Sequence, residues 1–167
     1  MARNIELKAR LRDLDAARRT AADLATQPGF VEHQIDTYFH CPNGRLKLRE
    51  IEGEGARLVA YLRPNDAAAK GSDYVLVPIP DAAGLKRGLA TTLGIRAVVD
   101  KRREIFLVEN VRIHLDDVAG LGTFLEFEAV LGPTSTDRVV GDDDGRAQLA
   151  DLRSRFGLRD EDLLSGS

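Results

Sequence analysis

The sequence predicts an α+β protein in which antiparallel strands form most of the fold. Apolar and polar residues alternate with a period of two in eight segments, as they do in half-buried strands. Three other segments keep the spacing of amphipathic helices. Short turns at Pro42-Asn43-Gly44 and Glu109-Asn110 predict hairpins between neighbouring strands. The predicted strands span residues 3–11, 34–40, 44–52, 57–64, 73–79, 95–108, 111–117 and 123–131.

The three predicted helices have recognisable ends. Asp13 and Asp81 are expected to cap the N-termini of the first two, because an aspartate there accepts a hydrogen bond from an unpaired backbone amide. Gly94 is placed to end the second helix. The run Gly-Asp-Asp-Asp-Gly at 141–145 is expected to be an exposed loop before the third. The predicted helices span residues 13–26, 81–93 and 144–156.

Length and composition narrow the function class. At 167 residues the chain is expected to form a single domain, residues 1–167. With 24 basic and 27 acidic residues, the net charge of −3 argues against a duplex nucleic acid partner. No signal peptide and no apolar run long enough for a bilayer are present, so we expect a cytoplasmic protein without a membrane partner. Cys41 alone cannot form an intramolecular disulfide, and whether the chain forms a homodimer is left open.

Charges of one sign recur along one face of several strands. Successive side chains in a strand point to opposite faces, so residues two apart lie on the same side. A face that only meets solvent usually mixes charges, whereas like charges in a row repel and favour a counter-ion. These rows are Arg45, Lys47 and Arg49, then Lys101 and Arg103, and then Glu126 and Glu128.

Two interpretations of these rows remain. In one, the sheet is open and its charged face meets water, which is common in antiparallel sheets. In the other, the sheet closes into a barrel with the charged face inside. The basic rows would then surround a polyphosphate, and the acidic rows would hold Mg²⁺ or Mn²⁺. The second interpretation predicts metal-dependent attack on a triphosphate.

Six segments in order resemble one family. Asn4-Ile-Glu-Leu-Lys8 resembles the Glu-x-Glu-x-Lys signature of the CYTH superfamily, which includes class IV adenylyl cyclases, thiamine triphosphatases and inorganic triphosphatases. The nearest resemblance is to the class IV adenylyl cyclase (CyaB-like) proteins. The likeness continues through Gln34–Phe39, Gly44–Glu50, Lys101–Arg103, Arg112–Asp116 and Gly120–Glu128.

The resemblance implies a fold and a set of site residues. The fold would be a closed eight-stranded antiparallel barrel, a triphosphate tunnel with helices packed outside. Asp116, Lys8 and Arg63 would be catalytic, with Asp116 as a metal-linked or base-like group. Metal would bind at Glu6, Glu126 and Glu128, with Asn4 where the signature has its first glutamate. The triphosphate would be held by Lys8, Lys47, Arg49, Arg63, Lys101, Arg103 and Arg112.

The implied reaction is conversion of ATP to cyclic AMP and pyrophosphate, with Mg²⁺ or Mn²⁺. The alternatives are an inorganic or thiamine triphosphatase and a non-catalytic module that binds polyphosphate or nucleotide. Tyr38 and Tyr61 are candidates for contact with an organic group, whereas Phe39 is expected in the core. His114 shares the inward face, where a positioning role is favoured over a general base. Because Asn4 is neutral, the metal site would carry one negative charge fewer than the signature.

Overall fold

The computed structural model describes residues 1–64 and 68–165, and these form a closed antiparallel barrel of eight strands. The strands follow one another around the barrel in the order β1-β5-β4-β3-β2-β6-β7-β8, so the predicted closed barrel is confirmed. The strands are β1 Ala2–Arg10, β2 Phe30–Phe39, β3 Arg45–Ile51, β4 Gly55–Leu62, β5 Lys70–Ile79, β6 Ile95–Val108, β7 Val111–Val118 and β8 Gly122–Val130.

Three α-helices of the described residues lie outside the barrel, and a short two-stranded ribbon connects the barrel to the third α-helix. Within the described parts of the chain, none of the helices is long and apolar enough to cross a membrane. The helices are α1 Leu14–Leu24, α2 Ala82–Thr92 and α3 Asp142–Arg155, and the ribbon pairs β9 Gly132–Pro133 with β10 Val139–Val140.

The predicted caps and turns are present. The side chain of Asp13 accepts a hydrogen bond from the Ala16 amide at 3.0 Å, which fixes the start of α1. Asp81 does the same for α2, where it accepts from the Gly84 amide at 2.9 Å. The turn between β6 and β7 places Glu109 at φ 54°, a left-handed conformation that the two-residue connection requires.

The exposed loop expected at residues 141–145 is wrong, because α3 already begins at Asp142. Three consecutive aspartates form its first turn, where carboxylates stabilise the positive end of the helix dipole. Asp144 accepts a hydrogen bond from the Gly141 amide at 3.0 Å. Gly145 then lets the helix approach β1, since a Cβ at this position would lie 3.0 Å from Ile5.

The main cluster of buried apolar residues lies on one side of the barrel, although Leu48 of β3, on the other side, is also 0% exposed. The cluster fills the space between the outer faces of β1, β7 and β8 and the helices α1 and α3; we call these three strands the helix-backed wall. On the opposite side, β3, β4 and β5 form the exposed wall, where Val75 and Val77 are each 44% exposed. No residue of α2, which is described in full, is buried. The core of the helix-backed wall includes Ile5, Leu7, Ala17, Ala21, Ile113, Leu115, Leu125, Phe127, Leu149 and Leu152.

Candidate active site

The interior of the barrel contains a cavity of about 390 Å³. Strand parity assigned the inward faces correctly, because eleven of the twelve predicted site residues line this cavity. The twelfth, Asp116, is 2% exposed and does not line the cavity. The eleven are Asn4, Glu6, Lys8, Lys47, Arg49, Arg63, Lys101, Arg103, Arg112, Glu126 and Glu128.

Three glutamates of β1 and β8 form an acidic cluster. Glu6 lies directly opposite Glu128 in the pairing of these strands. Burial and the charges of Glu126 and Glu128 raise the pKa of Glu6 to about 7, although Arg63 donates to it at 2.8 Å. Burial also favours the neutral form of Glu126, but Arg103 and other nearby cations hold its pKa well below the usual value. Carboxylates this close to one another favour a bound cation.

Asn4 contributes one polar contact and one unused oxygen to the acidic cluster. Its amide nitrogen donates a hydrogen bond of 2.6 Å to Oε1 of Glu128, which also accepts from Arg112. The amide oxygen Oδ1 is buried and has no hydrogen-bond partner among the described residues. Such an oxygen is a suitable ligand for a hard divalent cation.

His114 completes a possible metal-binding group. The side chain is 4% exposed, and within residues 1–64 and 68–165 its Nδ1 has no hydrogen-bond partner. A ligand atom from each of His114, Glu126 and Glu128 can be chosen so that all three lie within 4.8 Å of one another. Burial and the charge of Arg103 lower the pKa of His114 well below its usual value, so the imidazole is neutral at pH 7. The unpartnered atoms of Asn4 and His114 fit a divalent cation at this position.

Two buried aspartates bind three of the basic residues that line the cavity. Arg49 donates to both oxygens of Asp36 at 2.8 and 2.7 Å, and Arg103 donates to both oxygens of Asp116 at 2.7 and 2.8 Å. The Nζ atom of Lys101 lies 3.5 Å from Asp36 and 3.8 Å from Asp116, which joins the two pairs. We call these five residues the cation network.

The two aspartates of the cation network are ionised. Burial alone would raise both pKa values, but the hydrogen bonds and charges of the neighbouring cations outweigh it. The pKa of Asp36 lies far below its usual value, and that of Asp116 is lowered to about 2. A carboxylate with so low a pKa has little affinity for a proton, so Asp116 is suited to holding Arg103 in place.

Asp36 was not among the predicted site residues. Its parity with Gln34 and Tyr38 does place it on the inward face of β2, as the alternation of the sequence indicates. The alternation does not reveal the register of β2 against β3. That register places Asp36 opposite Arg49, which becomes its hydrogen-bond partner.

Lys8 and Lys101 of the cavity are largely shielded from water. Burial, and after it the charge of Arg103, lowers the pKa of Lys101 to about 7. Burial also lowers the pKa of Lys8. Both ammonium groups would be stabilised by an anion in the cavity, which is the arrangement that a polyphosphate requires.

One end of the cavity has an apolar mouth that the sequence did not predict. The end of the barrel that contains the start of β2 also contains the ends of β5 and β6, since neighbouring strands are antiparallel. Phe30 and Leu76 are 45% and 47% exposed there, next to apolar residues of β6. Tyr38 and Tyr61 also line the cavity, where their rings lie 5.5 and 5.3 Å from Nζ of Lys47. The mouth is formed by Phe30, Tyr74, Leu76, Ile105 and Leu107.

A closed barrel with cations and carboxylates facing a common interior cavity defines the class of triphosphate tunnel folds. Residues 2–161 match the model of the CYTH domain, and the chain belongs to this family. Tunnel enzymes of this family depend on divalent metals. The predicted resemblance is therefore confirmed over nearly the whole chain.

Individual relatives agree with this assignment. A protein of Methanocaldococcus jannaschii with the provisional name adenylate cyclase is 33% identical over 97 residues, which cover 56% of this chain and 54% of that protein. The aligned part thus spans about half of that relative's length. A solved structure from Pyrococcus horikoshii OT3 has a TM-score of 0.80 at 26% identity and covers 96% of this chain and 93% of its own.

A more distant structure has the same fold and a known activity of its own. The Hippeastrum protein, provisionally an adenylyl cyclase, is described as having a dominant triphosphatase activity. It has a TM-score of 0.66 at 13% identity and covers 100% of this chain and 92% of that one. At this identity the likeness concerns the fold alone.

Proposed function

We propose that this protein is a divalent-metal-dependent enzyme of the class IV adenylyl cyclase type, which converts ATP to cyclic AMP and pyrophosphate. The observation that carries the proposal is the division of one cavity into two chemical parts. The acidic cluster of β1 and β8 shares a cavity of about 390 Å³ with the cations of β3 and β6. A ligand that combines a polyanion with a metal ion satisfies both parts.

In this proposal Glu6, Glu126 and Glu128 hold the metal ion, Mg²⁺ or Mn²⁺, with Asn4 as a neutral oxygen ligand. When bound, the cation supplies positive charge to the phosphoryl oxygens. Lys8 and Arg63 line the cavity beside these glutamates and stabilise charge that develops on the leaving pyrophosphate. Asp116 acts by positioning Arg103, which contacts the triphosphate together with Lys47, Arg49, Lys101 and Arg112.

The apolar mouth favours a nucleotide over inorganic triphosphate. A purine ring is flat and apolar on both faces, and Phe30, Tyr74 and Leu76 offer a surface on which it can pack. Inorganic triphosphate makes no use of such a surface. In the cyclase reaction the 3′-oxygen forms a bond to the α-phosphorus while the bond from that phosphorus to the pyrophosphate oxygen breaks, and the proton of the hydroxyl is released.

Product analysis tests the proposal directly. The protein is incubated separately with ATP, inorganic triphosphate and thiamine triphosphate, in Mg²⁺ and in Mn²⁺. Cyclic AMP and pyrophosphate from ATP are the expected products. Free phosphate would instead establish a triphosphatase, and tight binding without any product would establish a non-catalytic binding module.

A matched pair of lysine variants connects the activity to the cavity. Lys8→Met removes a cation from the interior and is expected to lower kcat about a hundredfold, the usual effect of removing one donor to developing charge. Lys86→Met makes the same change on α2, outside the barrel, where Lys86 contacts Glu50 at 2.5 Å. Equal activity in the two variants would show that the reaction does not take place in this cavity.

The apolar mouth has its own test. Phe30→Ala is expected to remove about 1–2 kcal/mol of packing and so to raise KM for ATP about five- to thirtyfold. Binding of inorganic triphosphate should stay unchanged. A parallel loss for both ligands would contradict a role for the mouth in holding the nucleoside.

A further inference from the structure

His114 occupies an unusual position for a histidine. It lies directly opposite Glu126 in the pairing of β7 with β8, and its side chain is almost completely buried. Its Nδ1 has no hydrogen-bond partner in the described parts of the chain. Leaving a buried polar atom unpaired destabilises the folded protein. A bound partner at this atom would remove that destabilisation.

The nearby cations do not supply the partner. Arg103 donates through Nε and Nη2 to Asp116, and Arg112 donates to Glu128. The groups that do approach the imidazole are the carboxylates of Glu126 and Glu128, with ligand atoms of all three residues within 4.8 Å of one another. Carboxylate oxygens and imidazole nitrogens are both common metal ligands in proteins, and they occur together in one site.

The spacing is close to that of a coordination sphere. Metal–ligand bonds of about 2.1 Å place two ligands of one ion at most about 4.2 Å apart. Small side-chain movements would therefore bring the three groups onto one ion. The amide nitrogen of Asn4 donates to Glu128 at 2.6 Å, and the same side chain adds its unpartnered oxygen to this region.

We propose that His114 is a direct metal ligand, and that its nitrogen gives this site a preference for first-row transition-metal ions over Mg²⁺. The proposal rests on the metal site of the proposed function and adds to it a nitrogen ligand and a selectivity. Mg²⁺ binds almost entirely through oxygen, whereas imidazole nitrogen strengthens the binding of transition-metal ions. A site made of carboxylates alone would lack this discrimination.

Pulsed electron paramagnetic resonance of the unmodified protein with Mn²⁺ tests the ligand itself. A directly bound imidazole produces ¹⁴N modulation in the Mn²⁺ echo, and we expect this modulation in the wild type. The chain has three histidines, so His33→Gln and His40→Gln are matched controls, and both lie on exposed positions. The modulation is expected to persist in both controls and to disappear in His114→Gln.

Titration calorimetry tests the selectivity. His114→Gln is expected to weaken Mn²⁺ binding about tenfold while Mg²⁺ binding changes less than about threefold. Circular dichroism of each variant shows whether it is folded, and the wild-type spectrum decides the ligand question even if His114→Gln does not fold.

The outcomes separate this inference from the function on which it rests. Bound Mn²⁺ without ¹⁴N modulation in the wild type would overturn the role of His114 and leave a metal site of oxygen ligands in place. Modulation that persists in folded His114→Gln would overturn it equally. If Mn²⁺ does not bind at all, with or without inorganic triphosphate, both the inference and the proposed metal dependence fail.

Discussion

The two walls of the barrel differ in what supports them from outside. The acidic cluster and His114 project from the helix-backed wall, whose outer face packs against α1 and α3. On the exposed wall, β3 carries Lys47 and Arg49, and two valines of β5 in the same wall, Val75 and Val77, are each 44% exposed. A metal ion requires ligands placed within a few tenths of an ångström, whereas long basic side chains adjust to a phosphate. The packed core thus lies behind the part of the site with the stricter geometry.

The largest expected effect compares apolar truncations on the two walls. Phe127 of β8 is 0% exposed and packs edge-to-face on Phe156 with ring centroids 5.2 Å apart. Phe127→Ala is expected to lower the free energy of unfolding by about 3–5 kcal/mol. Val77→Ala on the exposed wall is expected to lower it by less than about 1 kcal/mol. Urea denaturation measures both, and similar losses would show that the two walls contribute equally to stability.

The next prediction concerns the cation network. Asp116→Asn leaves the guanidinium of Arg103 buried beside a neutral partner and is expected to cost about 3–5 kcal/mol of unfolding free energy. Asp117→Asn changes the next residue of the same strand, which is exposed, and should alter stability by less than about 0.5 kcal/mol. A small effect of Asp116→Asn in the same urea experiment would mean that Arg103 does not depend on this carboxylate.

Asn4→Glu is expected to have a smaller effect, on metal affinity. A glutamate restores the charge that the family signature carries and should tighten Mn²⁺ binding several-fold, because the site gains a fourth carboxylate ligand. Asn43→Glu, in the exposed turn before β3, adds the same charge away from the cavity. Calorimetric titration with Mn²⁺ that shows no change for Asn4→Glu would refute this expectation.

The smallest expected signal is the uptake of a proton when triphosphate binds. Because burial and Arg103 lower the pKa of Lys101 to about 7, this lysine is mostly neutral at pH 8 in the free protein. A bound triphosphate favours the charged form, so binding takes up a proton and weakens as the pH rises from about 7 to 10. Calorimetry of inorganic triphosphate binding in buffers of different ionisation enthalpy measures this uptake. In Lys101→Arg, which is charged throughout this range, the contribution of this residue should vanish, and equal uptake in both proteins would contradict it.

Strand parity was sufficient to predict which side chains face the interior. Period-two alternation depends only on the local backbone, so Lys47, Arg49, Lys101 and Arg103 could be assigned to one surface from their spacing. The closed barrel itself came from the resemblance to a family, since an alternating pattern is equally compatible with an open sheet. The structure then confirmed the closed form.

Contacts between strands could not be predicted in the same way. The fork between Arg49 and Asp36 depends on the register of β2 against β3, and the contacts of Lys101 depend on two further strands. Register is fixed by packing and turn geometry across the whole sheet.

The start of α3 at Asp142 was not predicted either. Three acidic residues beside glycines are typical of loops as well as of a first helical turn, so the sequence alone did not distinguish the two.

The cation network also limits how this sequence can change over time. Asp36 contacts Arg49 and lies 3.6 and 3.5 Å from the ammonium groups of Lys47 and Lys101, so one aspartate neutralises three side chains from β3 and β6, the two strands that flank its own. Loss of that carboxylate would leave several buried cations uncompensated at once. Substitutions at Asp36, Lys47, Arg49 and Lys101 should therefore occur together. In related sequences these positions should co-vary rather than change independently.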